Sequence, residues 1–423
     1  MKYTLRYIFI ALLFAACGDK VEIEQSQAET FNKLYGNAGN DSGCDIKELP
    51  NGDFLILGTI ETTDKSTEIA LIRTDRFGNE QWRETFGGDA EDQAGGMDID
   101  KNGNIIIAGT TYIPGTTEED SNHSDIIVIE LDANGNLIQK EIFDQFLDNE
   151  EGNCIVYDIT EIGGYIVGGS SDAISTYTEE GTNFDNPKFT KNLFFVRVYD
   201  ENGIKEVNET YAGYSQDDFI TSGIVYIDAF DSVNFIFSGV SIKNGLRSAV
   251  VIPVTNRNQS GFAILGITDF KFSEPSIATD IIALPNSISV LGIINPSSSS
   301  RIFIKNFNRS IDIPTSPEEG LIVIQKNGST RGNSFLYNET NQNYIISGST
   351  NVSEGGGFDH YIASVKQDGK INWEKTYGGT GDEEAFAIAP TKDGGFIITG
   401  YTGFEGNSLI NTIKVDNKGI LNP

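Results

Sequence analysis

The 423-residue chain carries 61 Asp and Glu against 30 Lys and Arg, a formal net charge of −31. Nucleic acid and anionic membrane surfaces are therefore unfavourable partners, since both are held mainly through Lys and Arg. The 46 Gly, 26 Phe and 16 Tyr, against 2 Met, suit short strands and many turns rather than helices.

Residues 1–16 read as a targeting signal, not as part of the fold. Lys2 and Arg6 supply positive charge, and residues 7–13 are an apolar run too short to span a bilayer. Phe14-Ala15-Ala16-Cys17 then resembles a bacterial lipobox, with small residues leading into Cys. Residues 18–30 are polar with no apolar period and read as a flexible tether. Extended, it reaches roughly 40–45 Å at ~3.3–3.6 Å per residue.

From residue 31 one pattern recurs. Residues 374–402 read EKTYGGTGDEEAFAIAPTKDGGFIITGYT, 83–111 read RETFGGDAEDQAGGMDIDKNGNIIIAGTT, and 32–60 read NKLYGNAGNDSGCDIKELPNGDFLILGTI. Each has an aromatic, Gly, an acidic loop, an apolar strand, a Gly turn, a second apolar strand and Gly again. The Gly expected to end the second strand recurs at Gly58, Gly109, Gly169, Gly239, Gly292, Gly348 and Gly400. A period of this size indicates a propeller or another repeat array, each unit reading as four strands, a to d. In the last unit strands a, b and c are expected at 385–390, 396–399 and 409–415, and the chain ends before a strand d. Phe31–Tyr35, by contrast, aligns with the d strands at 82–86 and 373–377. One orphan d strand at the start and one vacancy at the end match the closure of a β-propeller, which removes free sheet edges. We expect an all-β, seven-bladed β-propeller of four-stranded antiparallel blades over residues 31–423, closed by the N-terminal strand. Residues 257–343 are irregular, and six or eight blades stay open at this point.

The turns agree. Strands a and b are joined by Asn51-Gly52, Asn102-Gly103, Gly163-Gly164 and Asp393-Gly394, and strands c and d by Asp75-Arg76-Phe77-Gly78, Asp132-Ala133-Asn134-Gly135, Asp200-Glu201-Asn202-Gly203 and Asp416-Asn417-Lys418-Gly419. Gly tolerates positive φ there, and the Asp accepts turn amides. Trp82 and Trp373 share one repeat position, with Phe31, Ile142 and Val207 expected to match them. This position reads as core between blades, so Trp373→Ala should cost roughly 3–5 kcal/mol.

On Gly87-Gly88, Gly378-Gly379 and residues 393–400 (DGGFIITG) the chain resembles the propeller repeat lipoproteins common in Bacteroidetes, whose units run W-x-K-x-[YF]-G-G, an acidic loop, then D-G-G-[YF]-I-I-x-G-x-T. The resemblance covers nearly all of 31–420 and is weakest at 257–343. It implies an outer-membrane lipoprotein, periplasmic or surface-exposed, with Cys17 as the lipidated mature N-terminus. No single activity or catalytic residue follows from it. Membrane contact would then be through the anchor alone, and a monomer is the expectation.

The d–a loops are acidic: Asn40 and Asp41; Asp89, Glu91 and Asp92; Asp148, Glu150 and Glu151; Asp217 and Asp218; Asp382, Glu383 and Glu384. In a propeller these loops share one face around the channel, where converging carboxylates create a negative potential. Asp89, Asp92, Asp217, Asp218, Asp382 and Glu383 are candidate calcium ligands, since a hard cation takes oxygen donors. The competing reading is that each caps its own turn. On the same face two b–c segments read as long loops, 112–124 and 171–191. Tyr112, His123, Tyr177, Phe184 and Phe189 are candidate ligand contacts there, flat rings beside polar groups. His123 and His360, each isolated in sequence, argue against zinc, and no Ser-His-Asp set can be drawn. Cys44 and Cys154 fall on different repeats and read as small apolar residues rather than as a disulfide. The expected function is non-enzymatic binding of a glycan, peptide or envelope protein at the acidic face. A structural role in an envelope assembly and a polysaccharide-active enzyme are the alternatives. The tether, entering at the start of a d strand, should join the opposite face.

Overall fold

A computed structural model describes residues 29–422 apart from 38, 64–65, 89, 116–121, 144–148, 160–162, 173–191, 202–203, 213–217, 228–232, 244, 257–261, 309–318 and 353–356. The signal, Cys17 and most of the tether lie outside the described residues. The described chain forms seven antiparallel sheets, each the four-stranded blade of a propeller. Strand a of blades 1–7 is Ser42–Glu48, Asp92–Ile99, Glu150–Tyr157, Phe219–Ile227, Ser276–Ala283, Thr330–Asn338 and Glu383–Pro390. In blade 7 the outermost strand is Phe31–Tyr35, paired antiparallel with Asn407–Val415 from Phe31↔Lys414 to Tyr35↔Ile410. The ring therefore closes as the sequence indicates. Lys414 bonds both Asp393 and the Glu29 carbonyl, which ties the entering chain to the last hairpin.

Seven apolar clusters make up the core, each shared by two adjacent blades. The b strands, covered on both sides, are accordingly almost continuous apolar runs such as Phe54-Leu55-Ile56-Leu57, all fully buried.

The seven marker glycines do not end strand b. They lie inside it, and the strand runs on, to Glu61 in blade 1 and to Phe404 in blade 7. Each pairs with the residue just before a β-bulge in strand a: Gly43↔Gly58, Ala94↔Gly109, Gly152↔Gly169, Ile220↔Gly239, Ala278↔Gly292, Gly332↔Gly348 and Ala385↔Gly400. A Cβ at any of the seven would overlap a strand-a carbonyl oxygen. The glycine is there because the bulge brings two backbones together.

Between blades, the d-strand aromatic covers the c–d turn of the next blade. Phe31 lies against Gly78, Trp82 against Gly135 and Trp373 against Gly419, and each of these glycines has positive φ. Ile142 does not take this position. It is exposed, and Gln139, paired with Glu130 as Trp82 is with Arg73, stands there instead. No aromatic stands at this position in blade 2, so the repeat pattern had nothing to align there; the bulge before it is the one blades 1 and 6 also have.

Blade 4 departs from the pattern. Its outer strand breaks into Phe262–Ile264 and Thr268–Asp269, both paired with Leu246–Asn256. The chain then carries Phe270 and Phe272 onto Phe303 of blade 5, with ring centroids 6.0 and 4.9 Å apart.

Candidate functional site

The acidic d–a residues resolve into two groups. Counting three back from each bulge gives Asp41, Asp92, Glu150, Asp218, Ser276, Thr330 and Glu383, all polar and all buried. Their side chains bond the loops or strand ends beside them. Asp41 accepts the Asn37 and Glu61 amides, at 2.5 and 2.7 Å. Asp92 accepts the Gly88 amide at 2.9 Å, and Asp218 the Ile242 amide at 2.7 Å. Glu383 accepts the Gly379 amide and the Thr402 hydroxyl, at 3.0 and 2.8 Å. These carboxylates hold d–a and b–c loops together, blade by blade. Of the other calcium candidates, Asp382 is exposed and accepts the Phe358 amide at 2.8 Å, and Asp89 and Asp217 lie outside the described residues. Among the described residues no three His, Cys, Asp or Glu side chains come together as a metal site.

The ligand candidates are placed differently from expectation. Tyr112 and His123 belong to strands b and c of blade 2, which pair through Tyr112↔Ser124 and Ile113↔His123. The loop shrinks to 114–122. Tyr112 is half-buried. His123 is 5 % exposed, with Nε2 3.6 Å from an Asp125 carboxylate oxygen. Strand pairing extends past the point where the apolar pattern stops, so His123 cannot serve as a surface contact. Tyr177, Phe184 and Phe189 lie outside the described residues. His360 is likewise buried at the start of a c strand. Its Nε2 lies 2.9 Å from Asn411 Oδ1 in blade 7, and burial lowers its pKa to about 4.

The seven a strands surround a cavity of about 640 Å³, the central channel. Its charged groups were missed in the sequence. Asp45 accepts the Ile46 amide and, across the seam, the Met97 amide of blade 2, at 2.7 and 3.0 Å. Asp98 does the same with Ile99 and Tyr157, both at 2.9 Å. Asp280 accepts Ile281 and Phe335 amides with the Ser222 and Ser334 hydroxyls, all within 2.8–3.0 Å. The readable signal is the dipeptide Asp-Ile on strand a, at Asp45-Ile46, Asp98-Ile99 and Asp280-Ile281. Burial pushes the Asp45 and Asp280 carboxyls up, with amide bonds opposing it. Lys47 lies 3.6 Å from Asp98. Burial disfavours its charge, but Asp45, Asp98 and Asp280 together outweigh that and raise its pKa. The free thiols Cys44 and Cys154 also line the channel, on blades 1 and 3. Burial raises both, Cys154 to about 12, so neither is a ready thiolate.

At the mouth, between blades 6 and 7, Arg331 pairs with Glu384 at 3.0 Å and lies 4.2 Å from the centroid of the Phe358 ring. Asn333 donates to Glu384 and to the Ala385 carbonyl, at 2.8 and 2.9 Å. Phe386 and Tyr401 have ring centroids 5.9 Å apart.

No protein-family model matches the chain, and no curated protein matches it. Among solved structures it is similar to a mutant NanB sialidase from Streptococcus pneumoniae, with a TM-score of 0.46 and 11% identity over 92% of this chain and 71% of that one. It is also similar to Drosophila Plexin A in complex with Semaphorin 1b (TM-score 0.42, 8% identity, 90% and 88% covered). A polysaccharide lyase described as an ulvan lyase gives a TM-score of 0.41 and 11% identity, with 82% and 79% covered. Likeness at this level is one of general shape, and no activity is inferred from it.

Proposed function

We propose that the protein is a non-catalytic recognition propeller of the cell envelope, lipidated at Cys17, which takes a glycan, peptide or envelope-protein ligand at the channel mouth on the face of the d–a and b–c loops. The observation that supports this is a contrast between two adjacent repeat positions. Three residues before the bulge, every blade has a buried polar side chain, and those of blades 1, 2 and 7 take up loop amides. Two residues before it stand Ser42, Gln93, Glu151, Phe219, Ile277, Arg331 and Glu384. Hydroxyl, amide, acidic, apolar and basic side chains all occur at this one position, so the fold requires no one type there. Such variety on a rigid frame suits a surface fitted to a particular ligand. Glu29, the first described residue, pairs with Arg76 on a c–d turn at 3.4 Å. This supports an anchored end on the opposite face, with the mouth pointing away from the membrane. A second reading, a scaffold held by its rim, draws on Leu137, Ile138 and Ile142, all exposed on one outer strand.

The test is a glycan array and an envelope-peptide library probed with the mature chain, with and without calcium. Phe386→Ala should remove the bound signal while the melting curve holds. A signal that survives this change, and survives Arg331→Ala, rules out the mouth. Turnover of a polysaccharide that disappears with one carboxylate substitution would make the protein an enzyme.

A further inference from the structure

The second tryptophan seam differs from the first, and a pocket lies on its turn face. At the blade 1–2 seam Trp82 covers Gly135, and the space beside it is filled by Arg73. Its guanidinium bonds Asp53 at 2.8 and 3.0 Å and reaches the Ala133 carbonyl at 3.1 Å. At the blade 6–7 seam Trp373 covers Gly419 in the same manner. Pairing places Ser364 where Arg73 stands, Leu55↔Arg73 matching Ile345↔Ser364. The turn residues Asp53 and Ala133 correspond to Asn343 and Asn417. The short Ser364 accepts only the Asn343 amide, at 3.1 Å. A surface pocket of about 680 Å³ lies on these turns, lined by both asparagines and by Trp373, with Ser364 itself buried and outside the lining.

The rest of the lining is unusual for a chain of this charge. It holds Lys366 and Lys418, one from each of two neighbouring turns, and no carboxylate. The nearest acids on those turns are engaged. Asp368 pairs with Lys370 at 2.9 Å, and Asp416 accepts its own turn amides. The side-chain amides of Asn341, Gln342, Asn372 and Asn417 make no hydrogen bond within the described protein. Each offers a donor pair and an acceptor. Two ammonium groups, four unengaged carboxamides and a half-buried indole are complementary to a ligand with one negative charge, several hydroxyls and one apolar face.

From this we infer that the pocket at the blade 6–7 seam, on the c–d turn face, binds an acidic sugar unit, carboxylated or sulfated. The ammonium groups meet the anion, the carboxamides the hydroxyls, and Trp373 the apolar face of the ring. A long polyanion would be repelled by the rest of the molecule, so the ligand is a short or terminal unit, either free or on a glycolipid headgroup. The site faces the membrane-proximal side and is separate from the channel mouth.

The experiment is a calorimetric titration of the mature chain with a uronic-acid disaccharide, a sulfated disaccharide and their neutral counterpart. A parallel arm uses vesicles with and without an acidic glycolipid. Binding should appear for an acidic sugar in at least one arm, weaken with added salt, and fall at least about tenfold with Lys366→Ala plus Lys418→Ala. Ser364→Arg together with Asn343→Asp rebuilds the Arg73–Asp53 pair of blade 1 beside the indole, so it should occupy the space without adding net charge and abolish binding. Ser364→Ala, which leaves the space open, should keep it. Absence of binding in both arms overturns the inference. So does equal affinity for the neutral sugar, for an acidic peptide or for inorganic sulfate, and so does binding indifferent to the Ser364→Arg and Asn343→Asp double change in a variant that melts normally.

Discussion

The blade 1–2 and blade 4–5 seams solve one packing problem with different chemistry. At the first, a strand-d indole lies over a turn glycine and an Arg–Asp pair seals the space beside it. At the second, the outer strand is broken and two phenylalanines from the crossing segment, Phe270 and Phe272, reach Phe303 in the next blade. The first is a repeat device and can be seen by aligning units. The second exists once and has no counterpart to align. A seam needs apolar area between two sheets, and the repeat motif is only one way to provide it. What both share is the bulge opposite a strand-b glycine, Gly109 in blade 2 and Gly292 in blade 5.

The comparison can be broken at several points. The largest effect is expected from deleting residues 29–35, which supply the closing strand. Two buried aromatics leave, and blade 7 gains a free edge, so urea stability should fall by at least about 5 kcal/mol with new aggregation. A variant as stable as the full chain would mean that closure adds nothing to an ordinary seam. Phe303→Ala, at a fully buried ring in a three-ring cluster, should cost about 3–5 kcal/mol in the same measurement. Trp82→Ala and Trp373→Ala, at half-buried rings, should cost less, about 2–3 kcal/mol. The reverse order would show that the repeat device is the stronger of the two.

Acid should act on the blade 6–7 seam in particular. His360 has a folded pKa of about 4 against 6.5 unfolded, because burial disfavours the imidazolium. The fold thus favours the neutral ring, and this stability is full above pH 6.5 and declines as pH falls towards 4. The loss approaches about 3 kcal/mol, at 1.36 kcal/mol per pKa unit. His360→Asn should flatten that part of the pH–stability curve, and identical curves for both proteins would contradict the assignment. The smallest expected effect is at the bulge. Gly109→Ala and Gly292→Ala should each cost about 1–3 kcal/mol by overlapping a carbonyl. A neutral Gly292→Ala would mean that the irregular blade does not share the device after all.

Several features were legible before any coordinate was known. The seven glycines, the Asp and Gly turn residues and the orphan strand Phe31–Tyr35 pointed to seven blades and to the closure, with six or eight left open by residues 257–343, because each reports a local backbone requirement that recurs. Asp75 shows this in small: its carboxylate accepts the Phe77 and Asn79 amides of its own turn, both at 2.9 Å. The role of the marker glycine was not legible, since a bulge in one strand is visible only when the partner is laid beside it. Tyr112 and His123 were misplaced for a similar reason, because strand pairing continues through polar residues that look like a loop.

Sequence alone therefore determined the repeat and pointed to seven blades and a closed ring, as each unit's signals lie near one another in the chain and the orphan strand matches the vacancy left in the last unit. Only the tertiary structure decided which carboxylates are engaged and which spaces are open. Asp45 meeting Met97, or Arg73 reaching the Ala133 carbonyl in the next blade, depends on contacts across seams between separate sheets. Such contacts are set by three-dimensional packing, and no local pattern records them.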